Sequence, residues 1–158
     1  MPLPPNPAFH PVANLDAVVV AKNVRFTVLT DRLIRFEYSK DESFEDRASQ
    51  AFWHRDQPVP AFKKTVTNTS LEIETEYLLL KYRITRTGFT PLTLSITLKQ
   101  TGTIWRYGMP QNRNLKGTAR TLDNAGGATR LENGLISRSG WSVVDDSKSL
   151  VFNESGWL

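Results

Sequence analysis

Apolar positions in this chain recur mostly at every second residue, in segments of strand length. Residues 24–29 (VRFTVL) set Val24, Phe26 and Val28 on one face and Arg25 and Thr27 on the other. Thr30-Asp31 reads as a turn, and 33–38 (LIRFEY) alternates again, so 24–38 is predicted to be a β-hairpin. A β-branched run at 17–20 (AVVV) precedes it. Residues 64–67, 70–76, 78–84 and 92–98 also have strand length and composition. In the second of these, Leu71 and Ile73, continued by Tyr77, face one way while Glu72, Glu74 and Glu76 face the other, leaving one wet face. On a helix, glutamates two apart would be spread around the circumference. Leu92, Leu94, Ile96 and Leu98 share a face opposite Thr93, Ser95 and Thr97. No window carries three turns of amphipathic helix. Strands recurring at about 8–12-residue spacing with turn residues between them mark an antiparallel sandwich or barrel, so the chain is predicted to be all-β.

Residues 1–16 form a proline-rich, extended lead-in, and 17–158 the β domain. The stretch 39–48 (SKDESFEDRA) is a charged connection, 51–54 (AFWH) a short apolar piece, and Pro58 and Pro60 break regular structure after it. From Tyr107 onward the texture changes. Gly108, Gly117, Gly126, Gly127, Gly134 and Gly140 alternate with Asn112, Asn114, Asn124 and Asn133, interrupted by Leu135-Ile136 and by 141–144 (WSVV). A Gly/Asn-rich loop region this long inside a compact domain is more often functional than ornamental.

Composition narrows the chemistry. With 158 residues and no cysteine, the chain is long enough for one self-sufficient core and has no disulfide, thiolate metal site or thiol nucleophile. Two histidines, His10 and His54, leave little room for a histidine-built metal site, and no metal or cofactor is predicted. Twenty basic residues face 16 acidic ones, well interspersed, for a net charge of +4. That is a mixed surface rather than the dense basic stripe of a nucleic-acid binder. No apolar run approaches membrane-helix length, and the N-terminus has neither the basic start nor the apolar core of a signal peptide. The expectation is a cytoplasmic protein, or a secreted one from which a leader has been removed. Sequons at Asn68 and Asn153 are short enough to arise by chance.

The usual catalytic signatures are missing. Neither histidine serves a nucleophile elbow, and there is no Walker loop or dinucleotide fingerprint. Glycosidic cleavage needs two flanking acids. Asp145-Asp146 are adjacent: on a strand continuing 141–144 they would point to opposite faces, and before Ser147 they read as Asx-turn formers. Glu72, Glu74 and Glu76 share a face but read as a solvated surface. The tryptophans Trp53, Trp105, Trp141 and Trp157 are either core residues or sugar-stacking platforms; Trp105 and Trp141, beside and within the loop region, are the better platform candidates.

Three landmarks carry a family resemblance. The run 25–38 (RFTVLTDRLIRFEY), followed by Phe44-Glu45-Asp46-Arg47, resembles the opening of glycoside hydrolase family 31, which includes α-glucosidases and α-xylosidases. Residues 114–123 (NLKGTARTLD) and 134–147 (GLISRSGWSVVDDS) are similar to its next two landmarks, in the same order. The resemblance implies an N-terminal β-sandwich of the galactose-mutarotase-like type, ahead of a (β/α)₈ barrel that supplies an aspartate nucleophile and an aspartate acid/base. No βαβ pattern occurs here, so the barrel is expected to lie outside this chain, as the abrupt Trp157-Leu158 end also suggests. In that family the N-terminal domain sends a loop to the pocket rim near the leaving-group sugar. The matching segment implies Asp123 as the first substrate contact, with Asn124 and Arg120 behind it and Trp141 nearby; the alternative for Asp123 is an Asx turn entering Gly126-Gly127. The implied partners are an α-glucoside substrate and the catalytic barrel of the same enzyme. A stand-alone carbohydrate-binding module and a purely structural buttress are the rival readings.

Overall fold

A computed structural model describes residues 8–49, 51–117 and 131–153. The chain divides into two compact units, Met1–Met109 with Ser149–Leu158, and Pro110–Lys148.

The first unit is an all-β sandwich. A three-stranded antiparallel sheet has the order β1 (Val18–Ala21), β2 (Val24–Thr30), β3 (Leu33–Tyr38). A five-stranded antiparallel sheet follows as a meander: β4 (Lys63–Val66), β5 (Ser70–Glu74), β6 (Leu78–Arg83), β7 (Leu94–Leu98) and β8 (Thr103–Arg106). The only helix among the described residues is one 3₁₀ turn, Leu15–Ala17, capped by Asn14. The predicted hairpin is β2–β3, with Phe26 opposite Phe36 and a bulge between Val28 and Thr30. The extra residue lets Leu29 be buried alongside Val28.

Alternation builds the core. Val24, Phe26 and Val28 of β2 point inward, as do Leu71 and Ile73 of β5, Leu80 and Tyr82 of β6, Leu94 of β7 and Trp105 of β8, and all are buried. The layers meet through rings: Phe26 lies 5.6 Å from Tyr82, and Phe36 lies 5.9 Å from Trp105. Phe89, from the β6–β7 connection, wedges between Phe26, Phe36 and Tyr82 at 5.3–5.8 Å. That connection passes so close to the first sheet that a Cβ at Gly88 would fall 2.6 Å from the Tyr38 ring, and its φ of +69° also favours glycine.

Several expectations need correction. Trp105 is a core residue and not a sugar platform, because β8 turns it inward onto Phe36. β8 itself lies in what read as the approach to the loop region. β5 ends at Glu74, so Tyr77 does not extend its apolar face; Thr75 is buried there instead, its hydroxyl donating to the Asp31 carbonyl at 2.6 Å. Leu92 precedes β7 and is exposed, because Thr90 and Thr93 close a turn around it. Residues 141–144 form no strand.

The outer face of the first sheet is polar and covered. Arg25 and Glu37, cross-strand neighbours on β2 and β3, form a bidentate pair at 2.7 and 3.1 Å. Arg35 also pairs with Glu37, and Arg25 reaches Asp46 at 2.7 Å. Arg55, only 3% exposed, donates to the carbonyls of Glu45 and Arg47 at 2.8 and 2.6 Å. The charged connection 39–48 is thereby strapped onto the sheet. Burial and the neighbouring charge of Arg35 lower the pKa of Arg55, whereas for Arg25 burial is outweighed by the bonds to Glu37 and Asp46 and the net shift is upward.

Candidate functional site

Arg120, Asp123 and Asn124, the expected substrate contacts, fall in 118–130, outside the described residues. Trp141 is half-buried in the Pro110–Lys148 unit. What is described is the pair of segments flanking 118–130, and these are clamped together around one side chain.

Asn114 is 7% exposed. Its Oδ1 accepts from the Lys116 N–H at 2.8 Å, an Asx turn that starts the chain's reversal, and from the Gly134 N–H at 2.8 Å. Its Nδ2 donates to the Gly134 carbonyl at 2.8 Å and to Gln111 Oε1 at 3.3 Å. The amide thus mimics a peptide group and pairs both ways with the Gly134 backbone. Gly134 must be glycine for this fit, because a Cβ there would lie 2.8 Å from the Lys116 carbonyl oxygen. Lys116 and Gly117 follow in left-handed conformation, at φ 64° and 88°.

Backbone bonds extend the clamp on either side. Leu115 N–H donates to the Ile136 carbonyl and Arg138 N–H to the Arg113 carbonyl, both at 3.0 Å. Gln111 brackets Val143, donating to its carbonyl at 2.8 Å and accepting from its N–H at 2.9 Å. Lys116 also reaches the Asn133 side chain. The two landmarks 114–123 and 134–147 are therefore fastened to each other at the two points where 118–130 leaves and returns. Beside the bonds the clamp presents apolar surface: Leu115, Leu135 and Ile136 are 52%, 75% and 69% exposed.

Several of the described acids are committed elsewhere. Glu37 and Asp46 belong to the arginine cluster; Glu72 pairs with Lys81 at 3.2 Å and Glu74 with Lys99 at 2.9 Å. Asp145 is the turn former that its position before Ser147 predicted, accepting from the Ser147 N–H at 3.1 Å and hydroxyl at 2.6 Å. A glycosidic acid catalyst needs a raised pKa. The described carboxyls with a resolved shift all move the other way. Asp41 is lowered by the Ser39 hydroxyl, Glu74 by Lys99 and Asp145 by Ser147, and Glu45 is held at about 2 by Arg47.

Sequence reasoning placed Asn114 among the loop-forming asparagines and at the head of a landmark, but gave its side chain no role. Its Asx turn to Lys116 was legible from local spacing, but its pairing with Gly134, 20 residues on, was not. No protein-family model matches this chain, and no curated protein matches it either.

Proposed function

We propose that this chain is the N-terminal β-sandwich domain of a retaining α-glycosidase of the α-glucosidase type, presenting segment 118–130 at the rim of an active site whose catalytic aspartates stand on a barrel outside it. The galactose-mutarotase-like character of the sandwich belongs to the same proposal. The observation that carries it is the clamp: Asn114 and Gly134, the first residues of two separate landmarks, hold each other directly. A structural reason then exists for the starts of both landmarks to occur together, one on either side of 118–130 in the chain. The exposed Leu115, Leu135 and Ile136, on segments paired through the backbone, favour a domain that packs on a partner over a free-standing module.

The test is kinetic and uses the complete enzyme. Asp123→Ala is expected to raise KM and leave kcat nearly unchanged, since a contact to the leaving-group sugar is felt in ground state and transition state alike. Losing a hydrogen bond to a charged group, about 1.5–3 kcal/mol, lowers kcat/KM roughly ten- to a hundredfold. An unchanged kcat/KM together with a lower melting temperature would assign Asp123 to turn formation instead.

A further inference from the structure

The chain's two histidines stand 44 residues apart in sequence and side by side in the fold. His10 and His54 form an isolated parallel bridge, with ring centres 5.6 Å apart and planes inclined at 34°. Both side chains are exposed. The backbone around them is held without their help. His10 N–H donates to the Trp53 carbonyl at 3.1 Å, and the His10 carbonyl accepts from Arg55 N–H at 2.7 Å and Asp56 N–H at 3.1 Å. Alongside, Phe9 packs between Trp53 at 5.3 Å and Phe152 at 4.5 Å. The Arg55 guanidinium is turned away, onto the carbonyls of Glu45 and Arg47.

We propose that His10 and His54 chelate a divalent transition-metal ion of the zinc type. The spacing matches tetrahedral ligation. With metal–nitrogen bonds of about 2.0–2.1 Å and an imidazole radius of about 1.1 Å, two rings sharing a tetrahedral ion have centres about 5.2 Å apart, against about 4.5 Å for adjacent square-planar positions. The observed 5.6 Å is nearer the tetrahedral spacing than the square-planar one. Imidazole suits zinc, copper and nickel and not calcium or magnesium, which prefer oxygen. No cluster of three or more His, Cys, Asp or Glu exists among the described residues to complete the shell. Water fills the remaining positions, and the ion exchanges readily. Its effect is to staple the segment that carries Phe9 and His10 to the stretch from Trp53 to Asp56. This inference is independent of the glycosidase reading.

The experiment is calorimetric titration of the untagged chain with zinc chloride in a non-chelating buffer. One ion per chain is expected to bind, and His10→Gln and His54→Gln should each weaken it at least tenfold. Zinc at about a hundred times its dissociation constant should raise the wild-type melting temperature by roughly 5 °C and leave that of the variants unmoved. Cobalt, as a probe, should give the intense visible bands of a tetrahedral ion. Copper bound to the wild type provides a readout that needs no variant: pulsed electron paramagnetic resonance counts its imidazole ligands. Two imidazoles uphold the chelate; one or none, or zinc affinity unchanged in either variant, overturns it.

Discussion

At the scale of single residues, two side chains have measurable consequences. Arg47 holds the Glu45 carboxyl at about 2, below its ordinary 4.5, through a side-chain hydrogen bond and then through charge. A carboxylate whose folded pKa is depressed stabilises the fold fully above its unfolded value, and that contribution is lost as pH falls through the folded one. The pair is solvent-exposed, so the effect is small. Arg47→Ala is expected to melt roughly 1–2 °C below the wild type at pH 6, with the difference vanishing between pH 4.5 and 2. A difference that persists unchanged at pH 2 would assign the contribution of Arg47 to packing. The second residue is Asn114. Asn114→Ala strands the buried N–H and carbonyl of Gly134 at a cost of about 2 kcal/mol. Because Pro110–Lys148 is a unit of its own, the loss should register locally. Amide exchange at Leu115 and Arg138 is expected to speed up roughly thirtyfold while amides of the sandwich core keep their protection. Unaltered exchange at those two amides would mean that the backbone pairs suffice to hold the clamp.

At the scale of elements, the first sheet depends on a polar strap. Its inner face is closed by Phe26, Phe36 and Phe89, while its outer face carries Arg25, Arg35 and Arg55 around Glu37. Removing one partner of a mostly buried pair leaves uncompensated charge, which costs more than the pair contributed. Glu37→Gln keeps the shape and removes the anion, so it should reduce unfolding free energy by about 3 kcal/mol in urea titration. A loss under about 1 kcal/mol would identify the cluster as effectively solvated. The hairpin β2–β3 should also release 39–48 in this variant. Faster proteolysis within that connection is the accompanying sign, since Arg25 and Arg55 hold it by the Glu45 and Arg47 carbonyls.

At the scale of the whole molecule, Glu37, Asp46, Glu72 and Glu74 are tied to cations and Asp145 to a hydroxyl, and the described carboxyls with resolved shifts are more acidic than usual, the opposite of what a glycosidic acid catalyst needs. The isolated chain should therefore fold as a β protein and fail to hydrolyse a nitrophenyl α-glucoside. If the proposed glycosidase reading holds, the same substrate should be cleaved with retention of configuration by the complete enzyme. Turnover by the isolated chain, abolished by mutating an acid within it, would relocate the catalytic pair. No helix among the described residues is long and apolar enough to cross a membrane.

What the sequence determined by itself was whatever obeys a short period. Alternation of Val24, Phe26 and Val28, and of Leu71 and Ile73 against Glu72 and Glu74, specified strands, faces and the antiparallel class, because a pleated strand sorts neighbours two apart. The Asx turn at Asp145 was legible for the same reason: donor and acceptor sit two residues apart. The tertiary structure alone decided what depends on distant partners. Trp105 stayed open between core and platform because its neighbours in sequence are loop-like, and its neighbour in space, Phe36, decides for core. Glu37 read as one charge in an alternating strand; β2 and β3 place Arg25 and Arg35 beside it, and only the return of 39–55 over the sheet adds the charge of Arg55. Asn114 finds Gly134, and His10 finds His54, across 20 and 44 residues. Such pairings leave no periodic trace, because chain reversals between the partners, and not the spacing of residue types, bring them into contact.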